Sequence, residues 1–156
     1  MSFALNSEQL MCMIKCDPLM RENVLGVFPA DQLQRLNVGQ GLILNTKPHH
    51  HPGEHWLAIY NSGDFVEVFD SLAALTDKSE IDFKKIYYNV HFNKRSIQCF
   101  DSLVCGHYSI FYLFLKVRDI SFQDFLDMFS PTCEISDDYV YNFINRKFHL
   151  CLTNHV

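Results

Sequence analysis

The segment QCFDSLVCGHYSIFYLFLKVR, residues 98–118, decides how the rest of the chain is read. Its first part is polar and ends in Cys105-Gly106. Tyr108, Ile110, Phe111, Tyr112, Leu113, Phe114, Leu115 and Val117 then follow almost without polar interruption. A run this long, apolar nearly all round, predicts a buried central helix. Cys105 falls at its start, where unpaired backbone N–H groups and the positive end of the helix dipole favour a thiolate. Gly106 lets another backbone, or a substrate, come close. Cys105 is therefore a candidate nucleophile. Its plainer role is a small apolar residue at the mouth of a core helix, since free cysteine is often buried.

Working towards the N-terminus, two apolar runs form a hairpin. Residues 55–60 (HWLAIY) and 65–70 (FVEVFD) read as strands joined by the turn Asn61-Ser62-Gly63-Asp64. Another strand is expected over 42–45, after Gly39 and Gly41. A helix over 7–16, capped by Ser7 and ended by Asp17-Pro18, puts Leu10, Met11 and Ile14 on one face. Residues 24–28 form a short apolar segment, and 29–33 a helical turn begun by proline. Downstream of the hairpin, 76–89 reads as mostly helix and 96–98 as a short strand. After the central helix, Ser121 and Asp124 form a capping pattern for another helix, and a last helix starts at Ser136. The fold class is α+β, a small and mainly antiparallel sheet flanked by helices.

A chain of 156 residues has the length of a single domain, 1–156, with room for one sizeable core. Apolar residues make up 48% and charged residues 20%, which excludes a disordered chain. With 13 Lys and Arg against 18 Asp and Glu the net charge is −5, which disfavours tight nonspecific nucleic-acid binding. No uncharged apolar run reaches about 18 residues, so no membrane span is expected. The N-terminus lacks the pattern of a signal peptide. Six cysteines in that context predict reduced thiols and an intracellular location, in nucleus or cytoplasm.

A cysteine nucleophile needs a base within reach and a group to orient that base. His55 begins one hairpin strand and Asp70 ends the other, so an antiparallel pairing brings them side by side. Separately, each has an ordinary role, a solvated histidine and a turn-forming aspartate. Gln98 lies seven residues before Cys105, where its amide and the Cys105 N–H can form an oxyanion hole. Glu67 and Asp64 are weaker acids for the site, because Glu67 points to the other strand face. The loop His49-His50-His51 has metal-binding side chains, but three adjacent histidines point different ways, and no metal is expected. His107 is expected to be structural, and Asp101 and Ser102 to form a turn.

The order Gly53-Glu54-His55-Trp56, then Asp70 at a strand end, then Gln98 and Cys105-Gly106, resembles adenain, the adenovirus cysteine endopeptidase family, and its relatives in Polinton-type transposons. The same order occurs in SUMO-specific (ubiquitin-like) proteases and is the reverse of papain-like enzymes. Residues 24–31 are also similar to the family's N-terminal region, and the likeness spans about 25–115. The resemblance implies a cysteine-protease domain with His55 as base, Asp70 as orienting acid, Gln98 as oxyanion donor and Cys105 as nucleophile. Loss of Asp70 would then cost less than loss of His55. It further implies substrate contacts at Trp56, Gly53 and Gly106, and cleavage after small or Gly-Gly-type sequences. Viral precursor proteins or ubiquitin-like conjugates would be the partners, and a virion is a further location if the chain is viral. Adenain uses DNA and a disulfide-linked activating peptide. At net charge −5 a DNA cofactor is not expected, and no cofactor is required. Cys99, Cys133 or Cys151 would serve an activating peptide. Two other functions compete. One is an acyltransferase of the same clan, disfavoured by the short acidic chain. The other is a silent binding module, which need not retain all four residue types.

Overall fold

The computed structural model describes residues 3–49, 55–75 and 81–153. The chain opens with helix α1 (Ser7–Cys16), capped one residue earlier than the sequence suggests. Asn6 Oδ1 accepts the Gln9 N–H and Gln9 Oε1 accepts the Asn6 N–H, a closed capping box. Pro18 ends α1 and starts α2 (Pro18–Asn23), with the Asp17 carboxylate accepting the Met20 N–H.

Five strands follow: β1 (Val24–Phe28), β2 (Gly41–Asn45), β3 (Trp56–Asn61), β4 (Val66–Phe69) and β5 (Val90–Phe92). They form one sheet in sequence order. The two central pairings, β2 with β3 and β3 with β4, are antiparallel, while β1 and β5 add to the edges in parallel. The 24–28 segment is thus a strand, and β5 was not foreseen. Alternation sorts the strands onto two faces. Leu42, Leu44, Leu57, Ile59, Val66 and Val68 pack with Phe83 and Tyr87 on one. Ile43, Ala58, Tyr60 and Phe69 pack on the other against α3 (Cys105–Lys116), α4 (Phe122–Asp127) and α5 (Cys133–Lys147). There Phe69, Tyr112, Phe122 and Phe125 meet largely edge to face, a favourable aromatic geometry. α6 (His149–Thr153) closes the described chain.

Three expectations need correction. The described part of 76–89 holds one 3-10 turn (Phe83–Lys85) rather than a helix, because Phe83 and Tyr87 have only to cap one sheet face before β5 begins; residues 76–80 lie outside the described set. Residues 96–98 are not a strand, since the Ile97 and Gln98 N–H groups both donate to the single carbonyl of Ser71. α5 starts at Cys133, three residues before Ser136.

The cysteines also depart from the all-reduced reading. α1 packs on α6, which brings Cys12 to Cys151 across 139 residues of sequence in a disulfide. A second disulfide joins Cys99 to Cys133. Cys16, exposed, and Cys105 are the free thiols. The three cysteines put forward for an activating peptide are therefore all paired within the chain. No helix among the described residues is long and apolar enough to cross a membrane.

Candidate active site

The β3–β4 hairpin sets the first pair. His55 directly precedes β3, Asp70 directly follows β4, and the register places Ala58 opposite Phe69. His55 Nε2 lies 2.6 Å from Asp70 Oδ1. The other ring nitrogen, Nδ1, is not used by Asp70, and Cys105 lines the same cleft. Burial works against a charged His55. The hydrogen bonds and charges of Asp70 and Cys105 outweigh it and raise the imidazole to about 9 from its ordinary 6.5.

Asp70 is held on all sides and is 2% exposed. Oδ1 also accepts the Leu72 N–H, and Oδ2 accepts those of Ala74 and Leu75. Asn93 accepts the Asp70 N–H and donates to its carbonyl. Burial opposes the Asp70 charge, but His55 and these backbone donors keep its carboxyl below the ordinary value. Glu67 serves elsewhere, as its position on the opposite strand face requires. It pairs with Lys116 at 3.1 Å and accepts the Tyr112 hydroxyl. Asp64 is exposed in the turn.

Cys105 is the first residue of α3, a helix buried along most of its length. The loop leading to it is pinned from behind. The Cys99–Cys133 disulfide ties it to α5. Asp137 on α5 accepts both the Cys99 N–H and the Tyr108 hydroxyl. Residues 99–102 make the expected turn, with the Ser102 N–H donating to the Cys99 carbonyl. Gln98, nearly buried, donates from Nε2 to the Ser102 carbonyl at 3.0 Å.

His55, Asp70, Gln98 and Cys105 line one cleft of about 850 Å³. Trp56 lines it too, and its Nε1 donates to the Leu5 carbonyl, so the N-terminal segment forms part of the wall. Phe100, 94% exposed, and Leu103 stand at the rim. Gly106 is buried rather than open to the cleft. A Cβ there would sit 3.2 Å from both Leu5 Cβ and Trp56 Cδ1. The close approach it permits is by the chain's own segments. Gly106→Ala is therefore expected to push Trp56, the neighbour of His55. Overpacking of about 1–3 kcal/mol is partly offset by about 1 kcal/mol of helix propensity. Turnover should fall several-fold with a small change in thermal midpoint, measured side by side.

Gly53 lies outside the described residues, as do Glu54, His50 and His51. His49 is held by Asp31 through its backbone N–H and through Nδ1. Among the described residues metal-type donors converge at Cys12, Cys16 and Cys151 and at Cys99, Cys133 and Glu134, each set containing one of the disulfides. His107 is buried against Tyr141, and burial lowers it to about 4. Sequence reasoning missed Ser71, Asn93 and Asp137. No motif or spacing signal in the sequence marks any of the three.

A cysteine sharing a cleft with an imidazole that a carboxylate holds, and with a glutamine amide, has the parts for nucleophilic attack on a carbonyl. No protein-family model matches the sequence, and no similar sequence is found among curated proteins. In fold, the chain is similar to ChlaDub1 from Chlamydia trachomatis, with a TM-score of 0.61 and 10% identity over 99% of this chain and 94% of that one.

Proposed function

We propose that the chain is a cysteine peptidase acting on proteins that carry small residues, above all Gly-Gly, before the scissile bond. The observation that carries this reading is the His55–Asp70 hydrogen bond in one cleft with Cys105 and Gln98. With His55 already held protonated by the Asp70 charge, the Cys105 sulfur attacks the peptide carbonyl carbon as the thiolate. Gln98 Nε2 and the Cys105 N–H donate to the oxyanion. As the C–N bond breaks, His55 gives its proton to the leaving amine. Water then hydrolyses the thioester, with His55 as base, and the C–S bond breaks to restore the Cys105 thiolate beside protonated His55. Trp56 narrows the cleft, which favours glycine. Ubiquitin-like conjugates are the favoured substrates, through the sequence resemblance to SUMO-specific proteases together with the fold likeness to ChlaDub1. Precursor processing of the adenain type rests on the sequence resemblance. The direct test is labelling with ubiquitin-like and Gly-Gly peptide vinyl sulfones, with the adduct mapped by mass spectrometry. An adduct at Cys105 is expected. An adduct at Cys16 alone, or none with any probe, would refute the reading.

DNA is not expected to stimulate the enzyme. Arg95 is committed to the carbonyls of Phe129 and Ser130, near the start of α5. Arg146 and Lys147 sit at its far end. A helix of 15 residues separates them by about 20 Å, so the basic pairs Lys94-Arg95 and Arg146-Lys147 do not merge into one patch. Peptide cleavage with and without duplex DNA at low salt checks this. A tenfold increase that disappears as salt rises would show the opposite.

A further inference from the structure

Ser71 follows Asp70 directly and is 1% exposed. Its hydroxyl lies 2.6 Å from Gln98 Oε1. Its carbonyl accepts the N–H groups of Ile97 at 2.8 Å and Gln98 at 3.0 Å. One residue therefore holds both the main chain and the side chain of Gln98, while the residue before it holds His55. The hydrogen bonds also fix which way the Gln98 amide points. The Ser102 carbonyl can only accept, so the amide nitrogen must face it. Oε1 then faces Ser71, whose hydroxyl must be the donor. Of the two hydrogens on Nε2, one is taken by Ser102 and one is left over, on a side chain that lines the cleft with Cys105.

We propose that Ser71 is a positioning residue that locks the Gln98 amide, so that its remaining N–H meets the oxyanion. The proposal rests on the cysteine-peptidase reading of the site. Removing the hydroxyl leaves Oε1 as a buried acceptor without its donor. The amide then turns towards another donor and carries Nε2 away from where charge develops. An oxyanion donor is worth roughly a hundredfold or more in turnover. Misplacing one rather than deleting it is expected to lower kcat roughly tenfold, with KM unchanged, because the bond matters chiefly once the oxyanion forms.

The test uses two probes on the wild type, Ser71→Ala, Gln98→Ala and the double variant. Iodoacetamide alkylates a thiolate without forming an oxyanion, so its rate at Cys105 reports the nucleophile alone. The aldehyde acetyl-Ala-Gly-glycinal adds the Cys105 thiol across its C=O, placing an oxygen where the oxyanion would sit. Ser71→Ala should alkylate like the wild type but bind the aldehyde roughly tenfold more weakly. The double variant should bind no more weakly than Gln98→Ala, since Ser71 acts only through Gln98. Aldehyde binding by Ser71→Ala equal to the wild type, or additive losses in the double variant, would overturn the proposal. So would loss of cooperative unfolding in Ser71→Ala, which would make the hydroxyl a support of the fold. A wild type that alkylates at Cys105 but ignores the aldehyde at millimolar concentration has no working oxyanion hole, and that too overturns it. Absence of preferential alkylation at Cys105 over Cys16 would instead remove the peptidase reading itself.

Discussion

Cys105→Ala is expected to reduce cleavage at least about a thousandfold and to abolish vinyl-sulfone labelling, with the fold intact. Alanine is the best helix former, and Cys105 opens α3 at a half-buried position, so removing the sulfur changes stability by less than about 1 kcal/mol. The variant also loses one of the two partners that raise His55. His55 should therefore titrate below about 9 in Cys105→Ala, measurable by NMR of the ring protons. Cys12, Cys99, Cys133 and Cys151 are tied up in disulfides, which leaves Cys16 as the free thiol able to compete. Cleavage that survives in Cys105→Ala and disappears in Cys16→Ala would move the nucleophile to α1.

Asp70→Asn is expected to be far more damaging than an orienting role alone predicts. The carboxylate accepts four hydrogen bonds, two on each oxygen. An asparagine must turn its NH2 either towards His55 and Leu72 or towards Ala74 and Leu75, donor against donor. Leaving buried groups unsatisfied costs about 1–3 kcal/mol. The substitution also removes the charge that holds His55 protonated, so kcat/KM should fall roughly a hundredfold or more. The alkaline limb, set by loss of the His55 proton near pH 9 in the wild type, should move to lower pH. Stability carries the same signature. The raised His55 contributes stability that is fully present below its ordinary 6.5 and lost as pH rises through about 9. The lowered Asp70 contributes stability present above its ordinary 3.8 and lost as pH falls through its depressed value. Thermal midpoints at pH 6 and pH 9.5 should thus differ in the wild type and converge in Asp70→Asn. A variant that unfolds like the wild type at both pH values would show that the 70–75 turn does not depend on the carboxylate.

Much of the fold could be read directly because local physics determines it. The apolar run after Cys105 is buried as a helix since no face of it tolerates water. The 55–60 and 65–70 runs alternate around a Gly-containing turn, so they pair as a hairpin, and that pairing alone brings His55 to Asp70. The two-residue period of a strand ranks Glu67 below Asp70, and its bond to Lys116 follows from the same parity. Where local signals were weak, the reading failed. Ile81, Phe83, Ile86 and Tyr87 have helical spacing, yet they pack on one sheet face around a single 3-10 turn, because tertiary burial outweighs propensity in a short segment.

What only the tertiary structure decides is which distant groups meet. Nothing in the composition pairs Cys12 with Cys151 or Cys99 with Cys133, since disulfide connectivity follows from how helices pack. The same holds for Ser71 on Gln98, Asn93 around Asp70 and Asp137 behind Cys99. Four chemically suitable residues were legible because a motif and its spacing place them. The groups that hold those four still were not, because a buried hydroxyl, amide or carboxylate acquires its role from a partner 23 to 38 residues away, and sequence spacing carries no record of that contact.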